Sequence, residues 1–109
     1  MNKSGQVFEI LKWKSKTGVA DEQMIAAVDA MLMDVKHLKG FLHQTLYKNS
    51  DNEWVDIYYW ETEKDAHDFN AGMADKNSFK ELIELIEVNT ISIEVLHPLQ
   101  TSGKQVFVE

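Results

Sequence analysis

A chain of 109 residues, 44% of them hydrophobic, is large enough for one buried core and too apolar for disorder to be its default. Its 18 Asp plus Glu outweigh 11 Lys plus Arg, and the net charge of -7 with no basic stripe argues against a nucleic-acid partner. No cysteine means no disulfide, thiolate nucleophile or thiolate metal site, and no apolar run reaches the ~18 residues of a membrane span.

Residues 6–14 read as a first strand, with Val7, Glu9, Leu11 and Trp13 on one face and Phe8, Ile10 and Lys12 on the other. After a polar turn ending at Gly18, Asp21 opens a helix. Met24, Val28, Met31, Leu32, Val35 and Leu38 form its apolar stripe, the methionines reading as core filler, and Gly40 is its expected stop. Residues 41–48 form a second strand, and Asn49-Ser50-Asp51-Asn52 a polar hairpin connection into a third.

The third strand, from Trp54 to Trp60, is aromatic or β-branched throughout apart from Asp56. Alternation sends Trp54, Asp56, Tyr58 and Trp60 one way and Val55, Ile57 and Tyr59 the other. With both faces bulky, the strand is expected at the centre of a sheet. Thr62 caps the next helix, where Glu63 and Asp65 suit the first turn and Ala66, Phe69 and Met73 face inward. That helix falters over 72–77. Ser78 and Glu81 predict a capping box for its continuation, which buries Phe79, Leu82, Ile83 and Ile86. Residues 89–97 form the last strand, ended by Pro98, with Ile91, Ile93 and Val95 on one face and Thr90, Ser92, Glu94 and Leu96 on the other. Val106-Phe107-Val108 reads as an extra edge strand or an arm onto a partner.

The order β-α-β-β-α-β predicts an α+β, ferredoxin-like fold: a four-stranded antiparallel sheet with its helices on one face and strands one and three in the middle. The chain reads as a single domain, core 6–97 and tail 98–109, and with no apolar leader after Met1 its expected setting is cytoplasmic. Helices cover one sheet face only. Phe8, Ile10, Val55, Ile57, Tyr59, Ile91, Ile93 and Val95 read as an apolar face, and Glu9, Trp13, Trp54, Asp56, Tyr58, Trp60 and Glu94 as a mixed one. One of them needs cover from outside the chain, and a second copy, giving a homodimer through the sheet face, is the simplest cover.

At this point the chain resembles the dimeric α/β-barrel superfamily, most closely its antibiotic-biosynthesis-monooxygenase-like branch. The resemblance is carried by Lys16-Thr17-Gly18, by Lys39-Gly40-Phe41-Leu42 and by Trp60-Glu61-Thr62-Glu63-Lys64-Asp65-Ala66, and spans about residues 6–97. It implies a ligand pocket inside each subunit, between sheet and helices, so that the mixed face lines the pocket and the apolar face meets the partner. It also implies that Trp60 matches a strand-end tryptophan that contacts ligand in some members. The haem-degrading branch has a ligating histidine further along the second helix, where Asn70 and Met73 stand here, and an asparagine on the first strand, near Leu11 here. Haem, and any other cofactor, is therefore not expected.

Glu9, Asp56 and Glu94 on one enclosed face would crowd three carboxyls together, which raises carboxyl pKa values and suits a general base near neutral pH; the competing role is pairing with Lys12, Lys14 or tyrosine hydroxyls. Trp13, Trp54, Tyr58 and Trp60, with Leu11, Phe69 and Glu94, are the candidate ligand-binding residues; each aromatic is either pocket wall or ordinary core. Of His37, His43, His67 and His97, no two have metal-ligand spacing, and only His43 is a candidate to enter the pocket. There is no nucleophilic serine motif, phosphate loop or dinucleotide fingerprint. Asp56, with Glu9 or His43, is thus the expected proton acceptor of a cofactor-free, monooxygenase-like enzyme acting on an apolar or aromatic small molecule. The alternative is a non-catalytic binder of a fatty acid or polyketide-like compound.

Overall fold

The computed structural model describes residues 6–102, and the apolar stretch 106–108 lies outside them. Its elements are β1 (Val7–Trp13), α1 (Asp21–Val35), β2 (Phe41–Lys48), β3 (Trp54–Trp60), α2 (Glu63–Gly72), α3 (Asn77–Ile83), a 3-10 turn (Val88–Thr90) and β4 (Ser92–Leu96). The four strands make one antiparallel sheet in the order β2-β3-β1-β4. This is the expected ferredoxin-like architecture, with β1 and β3 at its centre and the second helix broken in two.

Local chemistry explains the connections. In the β2–β3 hairpin the Asn49 side chain accepts from the N–H groups of Asp51 and Glu53, and Asn52 takes the left-handed conformation (φ 64) that asparagine tolerates well. The Thr62 hydroxyl oxygen accepts from Asp65 N–H at 3.1 Å, capping α2. Two helix-end expectations fail. Helix α1 ends at Val35, capped by Lys36, so Gly40 is not its stop. Gly40 instead turns the chain into β2 at φ +84, its Cα so close to Asp65 that a Cβ would overlap the carboxyl group. Ser78 does not cap α3, whose N-cap is Lys76. Its hydroxyl donates to Asp34 Oδ2 at 2.7 Å, joining α3 to α1.

The core lies between the helices and one sheet face. Met24, Val28, Met31 and Val35 of α1 meet Ala66, Phe69, Met73, Leu82 and Ile86 from the later helical segments and Val7, Trp13, Trp54, Tyr58 and Trp60 from the sheet. The opposite sheet face carries Phe8, Ile10, Val55, Ile57 and Tyr59, all only half-buried in one chain.

Strand β4 presents the reverse of its expected faces. Ile10 pairs with Glu94, Leu11 with Ile93 and Glu9 with Val95, so Glu94 stands on the outer face and Ile93 and Val95 on the helix side. Alternation along a strand groups residues but does not say which group faces inward; only the pairing register does. Ile91 likewise packs against the core.

Candidate functional site

Strand β3 supplies the centre of the site. On its helix-facing side Trp54, Asp56, Tyr58 and Trp60 are all buried, Asp56 to 0% exposure. Across β1, Leu11 is the register partner of Asp56, and Trp13 is the partner of Trp54. Across β2, Leu46 faces Asp56 and Gln44 faces Tyr58.

A cavity of about 220 Å³ opens between this face and the helices. Leu11, Trp13, Asp56, Ile91 and Ile93 form its sheet side. Met31, Phe69, Asn70, Met73, Phe79, Leu82, Ile83 and Ile86 close it from the other side. Among the described lining residues only Asn70 and Ile93 are exposed, and they mark its mouth. Among the described residues Asp56 is its only ionisable lining group.

Two buried carboxyls lie on this face, in different surroundings. Glu9 is fully used: Oε1 accepts from Trp60 Nε1 at 2.9 Å and Oε2 from Asn70 Nδ2 at 2.6 Å. Burial pushes its pKa up, and the two donors pull it back. Asp56 has one partner, Gln44 Nε2, which donates to Oδ1 at 2.5 Å, while Oδ2 is buried with none. Desolvation raises the Asp56 pKa to about 7; the Gln44 hydrogen bond and Tyr58 oppose the rise and the Glu9 charge adds to it. The Tyr58 hydroxyl makes no hydrogen bond of good geometry, yet it lies near enough to Asp56 for each to shift the other's ionisation. Its own pKa is driven well above the usual value, first by burial and then by the Asp56 charge. A third buried polar atom, Trp13 Nε1, also lacks a partner. Buried polar groups are nearly always satisfied, so three orphans on one face, two of them in cavity-lining residues, are a departure from the usual pattern.

The expected site residues divide into three groups. Leu11, Trp13, Asp56 and Phe69 line the cavity. Trp54, Tyr58 and Trp60 share the face but stand beside the cavity as core: Tyr58 and Trp60 stack at 6.0 Å and both pack on Phe69, and Trp54 Nε1 donates to Ser15 Oγ. Glu9 sits next to Asp56 without lining the cavity.

His43 and Glu94 belong to the other face. His43 pairs with Tyr59, contacts its ring at 5.7 Å and hydrogen-bonds Thr45 at 3.1 Å. The hairpin register Lys48↔Trp54 fixes this side, and Gln44, one residue on, is what reaches Asp56. Glu94 is exposed beside Ile10, so three carboxyls do not crowd one face; two do.

Gln44 and Asn70 were missed by sequence reasoning. Asn70 carried a signal, since it stands four residues after Ala66 and three before Met73, beside the buried stripe of α2. Gln44 carried none until the hairpin register was known. Among the described residues no group of three or more His, Asp or Glu could hold a metal ion, and no helix is long and apolar enough to cross a membrane.

No protein-family model matches the chain, and no curated protein matches its sequence. Solved structures do match its shape. A mutant form of SnoaB, a cofactor-independent oxygenase from Streptomyces nogalater, superimposes with a TM-score of 0.76 at 16% identity, covering 93% of this chain and 100% of SnoaB. A Bordetella bronchiseptica protein named for antibiotic biosynthesis monooxygenases gives 0.75 at 15% identity, covering 88% of this chain and 99% of its own. Rv0793 from Mycobacterium tuberculosis gives 0.70 at 20% identity, with 90% and 99% covered. At these identities the likeness is one of fold, and the fold is the ferredoxin-like one of the antibiotic-biosynthesis-monooxygenase-like structures.

Proposed function

We propose that this protein is a cofactor-free, monooxygenase-like enzyme that works as a homodimer on an apolar or aromatic small molecule. The observation that carries the proposal is Asp56: a fully buried carboxyl in an apolar cavity, with one oxygen unpartnered and a pKa of about 7. Such a group takes a proton near neutral pH from an acidic C–H or a phenol. From an activated CH₂ the step balances with dioxygen alone. Asp56 removes a proton, and the carbanion reduces dioxygen and forms a C–O bond. The resulting hydroperoxide loses water to leave a carbonyl. One oxygen atom enters the substrate, and the other leaves as water with both hydrogens.

Homodimerisation is supported by the outer sheet face, where Phe8, Ile10, Val55, Ile57 and Tyr59 stay half-exposed in one chain. Ile57→Lys, which places a charge in that face, is expected to leave a monomer by light scattering. An unchanged dimer would remove the face from the interface.

The enzyme reading is tested by oxygen uptake with chelator present and no flavin or metal added. Wild-type turnover with a phenolic or activated-methylene substrate is expected to rise as pH passes 7. Asp56→Asn, equally well folded, is expected to lose at least about a hundredfold, the low end of general-base contributions. Full turnover in that variant would overturn the assignment of Asp56.

A further inference from the structure

We propose that the cavity beside Asp56 selects a neutral molecule of one ring or two fused rings, with a single hydroxyl or enolisable carbonyl directed at Asp56 and Trp13. The inference rests on the cavity being the substrate site. It adds a size limit, a charge and a polar end, and it disfavours both long-chain fatty acids and larger fused-ring compounds.

Size comes from the volume. An apolar cavity of about 150 Å³ is enough to hold benzene. The 220 Å³ here scales to a ligand of roughly ten non-hydrogen atoms. A third fused ring would have to protrude through the mouth at Asn70 and Ile93, losing burial, or displace Met31, Met73, Leu82 or Ile86 from a packed interior.

Charge comes from the lining, which contains no Lys, Arg or His among the described residues. A bound carboxylate would lose its water, meet no cation and face the one carboxyl present. The polar end comes from the orphaned atoms. Trp13 and Asp56 are diagonal neighbours across the β1–β3 ladder, within mutual reach of long side chains on one face. The Trp13 indole N–H donates only, and Asp56 Oδ2 is free to accept, or to donate when protonated. Both atoms have almost no accessible surface of their own, so a hydroxyl or enol oxygen would reach them through a small shift of the wall, accepting from the indole and donating to the carboxylate. An ammonium group would serve Asp56 alone and leave Trp13 unmet.

The test uses the full chain labelled with ¹³C at its methionine methyls. Met31 and Met73 line the cavity, whereas Met24 is buried outside it and Met33 is on the surface, so the protein carries its own controls. We expect 2-naphthol to shift the Met31 and Met73 signals at a 1:1 end point and to leave Met24 and Met33 in place. 9-Phenanthrol, 2-naphthoate, 2-naphthylmethylammonium and dodecanoate are each expected to bind at least about tenfold more weakly, one misfit's worth of free energy. Naphthalene, which lacks the polar end, should also bind more weakly than 2-naphthol. Phenanthrol binding as tightly as naphthol through the same two methyls overturns the size limit while keeping the cavity as the ligand site. Naphthoate or the ammonium compound binding as tightly overturns the assigned polarity. If no compound moves Met31 and Met73, the cavity is not the site and the inference falls. Naphthol binding there without oxygen uptake supports the inference and overturns the oxygenase proposal.

Discussion

The two faces of β3 invert the usual rule. Its outer side, Val55, Ile57 and Tyr59, holds no charge and is only half-buried. Its inner side holds Asp56 and, across the ladder, Glu9, and both are at 0% exposure. What separates the faces is the supply of partners. The helix side offers two amide donors, an indole donor and the large rings of Tyr58, Trp60 and Phe69, so it can take carboxyls into the dry interior at a cost carried as raised pKa values. Exposed carboxyls behave in the opposite way. Glu63 at the start of α2 accepts from His67 and His97 in open water, and those hydrogen bonds lower its pKa. The same chemical group is thus strained on one side of the molecule and at ease on the other.

The strongest blow to the inner face is Trp60→Ala. It removes a fully buried ring that stacks on Tyr58, packs on Phe69 and donates to Glu9. A loss of roughly 3–5 kcal/mol in denaturant unfolding is expected. An unchanged midpoint would mean the inner face is not the core.

Asp56→Asn sharpens the contrast through pH. Because its folded pKa is raised from 3.8 to about 7, the native state holds this proton more tightly than the unfolded chain does. The stability it contributes is full below about pH 4, is lost as pH rises through 7, and stays lost above. The span of about three pH units corresponds to roughly 4 kcal/mol. The variant, lacking that slope, should match the wild type near pH 4 and exceed its stability at pH 8. A variant less stable at pH 8 would make Asp56 a structural ion partner instead.

Gly40→Ala tests the join between α2 and the sheet. A Cβ there would meet the Asp65 carboxyl, in a backbone conformation that alanine resists. Roughly 1–3 kcal/mol should be lost. Smallest of all, Glu63→Gln is expected to leave the melting midpoint in place, since exposed ion pairs are weak. A clear fall would show that the exposed cluster holds the fold after all.

The fold was legible because its signals were local or periodic. The Trp54–Trp60 strand, the Thr62 cap and the apolar stripe of α1 each announce themselves within a few residues. Asp56 was legible for a related reason, as a lone charge in a bulky strand. The rest of the site depended on registers between strands. Glu94 and His43 fell on the wrong side because β4 and β2 pair in ways that alternation alone does not determine. Gln44, the one partner of Asp56, became visible by the same registers. The cavity itself depends on how three helical segments meet the sheet, and no stretch of sequence encodes that locally.

The sheet order also sets a timetable. Strands β2 and β3 are neighbours along the chain, joined by a turn that holds its own shape, so their hairpin can close as soon as it is made. Strand β1 pairs with β4 through Phe8↔Leu96, contacts that span nearly the whole described chain. During synthesis β1 can pair with β3 once the hairpin is made, but its other edge stays open until β4 emerges. In pulse-labelled refolding, amides of Phe41–Lys48 should gain protection before those of Ser92–Leu96. Simultaneous protection would mean that the sheet closes in one concerted step.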